Sequence, residues 1–288
     1  MKKDTPFGQL LFLIAMMLLG LVLAGILTAC LTLVGLDTAS NYYGIIVAQT
    51  LSQLLIFLLP AYLFATRTDG RPAEFFNASP KRTAWGLCLL ACLLVVLVAP
   101  AIDWASLWND GWHFPQSLQN LESKLRATGD ISQNTMSLIL QQTHWAPLAI
   151  NIAVIALLPA ICEEFFFRGV VQQYLHRWTR NPHVAILLAS AIFSLFHGEL
   201  FQFVPRFAMG ILLGYLFYYS KSIWVNVCAH FFNNLIVVLG SYLYATKSTA
   251  INPNDHLNIP ATLTLCCFLA ASALFYIYFV NRTKHINE

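Results

Sequence analysis

Residues 146–176 read APLAINIAVIALLPAICEEFFFRGVVQQYLH, and the fold turns on them. Residues 146–162 carry no charge, and about 20 mostly apolar residues suffice to cross a bilayer as a helix. Two adjacent carboxylates, Glu163 and Glu164, and the guanidinium of Arg168 then stand within the same apolar run. Further along, His197 in FSLFHG and His230 in AHFFNN are placed alike. Ionisable groups in hydrocarbon are costly and persist mainly where they pair, line a cavity or do chemistry. Of 13 acidic residues only these two glutamates fall well inside an apolar stretch, with Glu199 at a boundary.

Working outward, the whole chain is 58% hydrophobic and 10% charged. Soluble domains hold roughly 45–50% and about 25%, so a soluble fold is excluded. The apolar run 7–36 is longer than the roughly 7–15 residues of a secretory signal core and lacks a small-x-small cleavage site after a short core. It is expected to be the first transmembrane helix. The 7 cysteines form no CxxC pair and no zinc-ribbon spacing, which makes them small apolar fillers, Cys162 beside the glutamates included. The net charge of +3 comes from scattered loop residues rather than a basic patch, so no nucleic-acid partner is expected.

Apolar spans fall at 7–36, 41–66, 84–102, 146–176, 183–198, 203–220, 222–243 and 259–281. They lack the alternation of a β-barrel and are therefore helices. The expected fold is an all-α polytopic membrane protein of about eight transmembrane helices. With both termini cytoplasmic, one side holds Lys2, Lys3, Arg67, Arg71, Lys81, Arg82, Arg177, Arg180, Lys221, Arg282 and Lys284. The other holds only Lys124, Arg126, Arg206 and Lys247, as the positive-inside rule requires. Residues 1–102 form the N-terminal helices, with no readable chemistry. Residues 103–145 form an extracytoplasmic connector, rich in Trp and polar enough for an interfacial helix, read as plain linkage rather than a substrate lid. Residues 146–245 are expected to form the functional core, and 246–288 the last helix and cytoplasmic tail.

On a helix, Glu164 and Arg168 are four apart with the acid first, the favourable order for an ion pair. Glu163 is turned by about 100° from Glu164, so the two acids serve different surfaces. Glu164 is expected to neutralise Arg168 and leave Glu163 free. Burial disfavours a charged carboxylate and hydrogen-bond donors favour it, a balance that makes a general base. His230 and Asn234 share a helix face and can donate to a developing oxyanion. His197 can hold a water against Glu163 or share a metal with His230. Counted from the span ends, Glu163, His197 and His230 are roughly 21, 21 and 14 Å deep, so one site is feasible. The bland readings are a structural Glu164–Arg168 pair, histidines and Asn226 or Asn233 as interhelical glue, and Gly210 with Gly214 as a GxxxG packing pair. Glu199 is two residues from His197 and is expected at the membrane interface.

In order and on separate helices, Glu163-Glu164-x-x-x-Arg168, Phe193-x-x-x-His197 and His230-x-x-x-Asn234 resemble the motifs of the CPBP family, the CAAX proteases and bacteriocin-processing (Abi) enzymes. The resemblance spans about 146–245. It implies an intramembrane endopeptidase in which Glu163 activates water, His197 helps hold it, and His230 with Asn234 stabilises the oxyanion, supported by Glu164 and Arg168. It implies no cofactor, with zinc on Glu163, His197 and His230 as the alternative. Substrates would be peptides or membrane-anchored proteins rather than prenylated chains, at the bacterial cytoplasmic (inner) membrane. The competing classes are a non-catalytic immunity or scaffold protein, and a transporter, against which the lack of repeated halves speaks. The oligomeric state is unread.

Overall fold

The computed structural model describes residues 5–79, 85–253, 255–256 and 259–281. Lys2, Lys3, Lys81, Arg82, Arg282 and Lys284 of the charge map lie outside them. Among the described residues the chain is helical throughout, with no strand. Seven helices are long and apolar enough to cross a membrane: α1 Pro6–Leu33, α2 Tyr42–Thr68, α3 Trp85–Asp110, α5 Trp145–Thr179, α7 Leu200–Ser220, α8 Ile223–Ala245 and α9 Ala261–Val280. Two more are α4, Gln119–Leu140, which is polar, and α6, Pro182–Phe196, which is apolar but only 15 residues long. At about 1.5 Å per residue α6 measures roughly 22 Å, short of the core thickness of about 30 Å. The chain is an integral membrane protein built as an all-α bundle.

Local sequence sets the helix ends and irregularities. Thr5 caps α1 through its hydroxyl, with Pro6 at the first turn, where the missing N–H costs nothing. In α2 and α5 a widened π turn, Gln53–Leu58 and Ile152–Leu157, runs up to the residue pair that ends in Pro60 and Pro159. A proline ring crowds the carbonyl four residues back and removes one bond, and the i→i−5 pattern accommodates both defects without ending the helix. Between α6 and α7 the chain reverses at Gly198, whose φ of 70° is left-handed and therefore suits a residue without Cβ.

Two apolar clusters divide the bundle. One joins α1, α2, α5 and α6 through Phe64, Phe166, Phe167, Val170 and Phe193. The other joins α3, α7, α8 and α9 through Leu94, Leu213, Leu216, Ala229 and Phe279. Since lipid is as apolar as these side chains, close packing and interhelical hydrogen bonds hold the helices together. Gly210 and Gly214 make the α6–α7 approach close: a Cβ there would sit 2.9 Å from Ser190 Cβ and 2.7 Å from Ile186 Cγ2. Their carbonyls also accept from Arg168 Nη2 at 3.2 Å and Gln172 Nε2 at 3.0 Å. The GxxxG pair thus packs as expected and, in addition, receives two polar side chains of α5.

The third span runs on to Asp110, past the expected end at 102, and Asn109 explains why. Its amide donates to Leu200 O at 3.2 Å and accepts from Val204 N–H at 2.8 Å, which clamps the end of α3 to the α6–α7 turn. Helix α4 is fastened to the same corner. Arg126 donates to Glu122, to Asp110 and to the Trp112 carbonyl, and stands 3.8 Å over the Phe201 ring.

Candidate active site

Between the two clusters runs a polar seam. Glu164 is fully buried and accepts from Arg168 Nη1 at 2.9 Å, from His230 Nδ1 at 2.8 Å and from Asn226 Nδ2 at 3.3 Å. The expected Glu164–Arg168 pair is present, and it does more than neutralise a charge, because the same carboxylate also orients His230. A carboxylate paired with Arg is acceptor-only, so Nδ1 of His230 carries the proton. Nε2 is thereby directed to the other side of the ring, where Glu163 Oε2 stands 4.0 Å away.

Glu163 faces a cavity of about 790 Å3 lined also by His197, His230 and Asn234. The four side chains named from sequence for the chemistry therefore line one space, although they come from α5, the end of α6, and α8. Phe193 underlies them. Its carbonyl accepts from His197 Nδ1 at 2.9 Å, its ring packs edge-on against both histidines, and Arg168 stands 4.8 Å over it. The hydrogen bond to a carbonyl fixes the His197 tautomer with its free lone pair on Nε2. Asn226 works as interhelical glue, donating also to the Leu213 carbonyl.

Three placements add to the sequence reading. Glu199 lines the cavity and receives Arg206 Nη2 at 2.7 Å. Periodicity could not place it there, because the helix ends at Phe196 and the 100° step per residue no longer applies at 199. Arg206, counted among the outer loop charges, lines the cavity too. Second, the first three spans reach the candidate site, since Gln53 of α2 donates from Nε2 to Glu163 Oε1 at 3.0 Å. The signal was available in the polar set Gln49, Ser52 and Gln53 on an otherwise apolar span. Third, Ser132, Met136 and Leu140 of α4 form part of the cavity wall.

A metal on Glu163, His197 and His230 was the alternative reading. Among the described residues no three His, Cys, Asp or Glu side chains converge as ligands of a metal ion. His230 Nδ1 is already committed to Glu164, and His197 Nδ1 to a carbonyl. The remaining ring nitrogens are the atoms any ligand in the cavity would meet.

Residues 145–236 match the family described as Type II CAAX prenyl endopeptidase Rce1-like. That segment holds the diglutamate, both histidines and Asn234. The likeness to that family covers this segment, about a third of the chain. The chain is 27% identical over 219 residues to "Putative membrane peptidase YdiL" of Bacillus subtilis (strain 168), covering 69% of this chain and 88% of that one. It is 31% identical over 81 residues to "Uncharacterized protein YpbD" of the same organism, 28% of this chain and 40% of that one. No solved structure matches it significantly. The matched segment leaves out α1–α4, so Gln53 and the α4 wall lie outside it.

Proposed function

We propose that the chain is an intramembrane endopeptidase in which Glu163 is the general base, and that it hydrolyses peptide bonds of membrane-associated substrates. The observation that carries this reading is the pairing of Glu163 with His230 across the cavity while Glu164 holds the far side of the same imidazole. A water between Glu163 and His197 loses a proton to Glu163 as its oxygen attacks the scissile carbonyl carbon. The oxyanion that forms accepts from Asn234 and from His230. With Nδ1–H given to Glu164, His230 donates from Nε2 only as imidazolium. That state balances the two carboxylates against Arg168 and His230. Glu163 then returns its proton to the amide nitrogen, the C–N bond breaks, and a carboxylic acid and an amine form, the acid passing its remaining proton to the amine as a carboxylate and an ammonium leave. Removing one such donor costs about 10²–10³ in kcat.

The cavity favours apolar, membrane-borne segments. Leu18 and Leu21 of α1 line it while being 58% and 56% exposed on the outside of the bundle, so its wall adjoins the lipid. The positive ends of α2, α5 and α7, with Arg67, Arg71, Arg177, Arg180 and Lys221, fit termini on the cytoplasmic side of a bacterial inner membrane. In the test, protein in micelles is incubated with a peptide library. Wild type yields products, chelator leaves the rate unchanged, and Glu163→Gln removes turnover with the fold retained. Undiminished cleavage by Glu163→Gln would sink the mechanism. A rate lost to chelator and restored by zinc would replace it with metal-assisted hydrolysis.

A further inference from the structure

Gln53 is 5% exposed, carries an amide into an apolar helix, and offers Nε2 to Glu163 Oε1 at 3.0 Å. Its own Oε1 is buried and accepts no hydrogen bond. A buried amide with half its capacity unused is costly to keep, and helix–helix adhesion alone would be served as well by a fully satisfied pair. Gln53 opens the π turn Gln53–Leu58, a local widening that recurs at functional sites, and this segment packs directly on Leu158–Phe166 of α5. Glu163 has one oxygen towards His230 and the other held by Gln53. Without the amide, rotation of the carboxylate about its last bond would be opposed by nothing at that oxygen among the bonds described.

From this geometry we infer that Gln53 is a positioning residue for the reaction. It fixes the Glu163 carboxylate so that Oε2 faces the histidines and the cavity, and it supplies this from the N-terminal half, outside the segment that carries the motifs. The inference rests on the protease reading of Glu163. Gln49 and Ser52 line the same wall, which keeps that face of α2 polar around the amide.

The experiment compares Gln53→Met, which keeps the length and removes the donor, with Gln53→Asn, which keeps the amide but is too short to reach. The readout is steady-state cleavage, by full-length protein in micelles, of one peptide chosen from the library for cleavage by wild type. Thermal unfolding and gel filtration are followed in parallel. Both variants should lower kcat by about 10- to 100-fold, the worth of a hydrogen bond to a charged group, with KM unchanged. On a Glu163→Asp background, Gln53→Met should cause no further loss, because the carboxylate it positions has already been withdrawn. Wild-type kcat in either folded variant overturns the inference, as does a loss confined to KM or one that multiplies with Glu163→Asp. If Gln53→Met does not fold, Gln53→Asn alone decides. Should Glu163→Gln prove fully active, the protease reading falls first; should it be dead while the Gln53 variants are normal, only the role of Gln53 falls.

Discussion

Replacing Glu164 by Gln keeps the shape of the side chain and removes the charge on which three donors converge. Arg168 is 2% exposed, with Nη1 at 2.9 Å from the carboxylate. At an effective dielectric constant of about 20, unit charges at that separation attract by roughly 6 kcal/mol. Breaking a buried pair from one side costs about 3–5 kcal/mol net, because the remaining charge is left uncompensated. Glu164→Gln is therefore expected to destabilise the bundle by about 3–5 kcal/mol. The double variant Glu164→Leu with Arg168→Met removes both charges together, and buried pairs replaced by apolar residues are commonly neutral or better. Its stability should recover only in part, because the buried His230 Nδ1–H still loses its acceptor, at a cost of about 1–3 kcal/mol. Its activity should not return, since His230 Nδ1 loses the acceptor that fixes the ring. Equilibrium unfolding in mixed micelles measures the first quantity and peptide cleavage the second. A Glu164→Gln protein of wild-type stability, or a double variant that cleaves normally, would refute the reasoning.

Two further outcomes follow from the same geometry. His197→Ala and His230→Ala should each reduce kcat/KM by about 10²–10⁴, and the double variant should lose little more than the worse single one if the pair acts as a unit; strictly multiplicative losses would separate them. Outside the apolar spans, the Phe114 N–H, with Arg126 and His113, holds the Glu122 carboxyl down at about 2. A depressed carboxylate contributes stability that is present above its ordinary value of 4.5 and lost as pH falls towards 2. Protection of the amides within Gln119–Leu140, measured against the intrinsic exchange rate at each pH, should fall over that window in wild type and stay level in Glu122→Gln; an identical pH response in both proteins would show that Glu122 does not anchor α4.

Much of this protein was legible because a bilayer imposes few solutions. Apolar length alone placed the helices, and the cost of charge in hydrocarbon singled out Glu163, Glu164, Arg168, His197 and His230. Helical spacing, which is local, gave the Glu164–Arg168 pair and the shared face of His230 and Asn234. Where periodicity ended, so did the reading: Glu199 follows the end of α6, and no 100° step could tell that it turns into the cavity with Arg206.

Sequence by itself thus determined the class of fold, the approximate position of the apolar helices and the charges within them, since each follows from transfer cost or from spacing within one helix. Tertiary structure alone decided which donors meet which acceptors across helices. That Glu164 rather than Glu163 holds His230 Nδ1, that Gln53 reaches Glu163 from 110 residues away, and that α4 walls the cavity all depend on how separate helices cross. Crossing is set by the close approach at Gly210 and Gly214, the π turns before Pro60 and Pro159, and the Asn109 clamp, and none of these distances is encoded in any single helix.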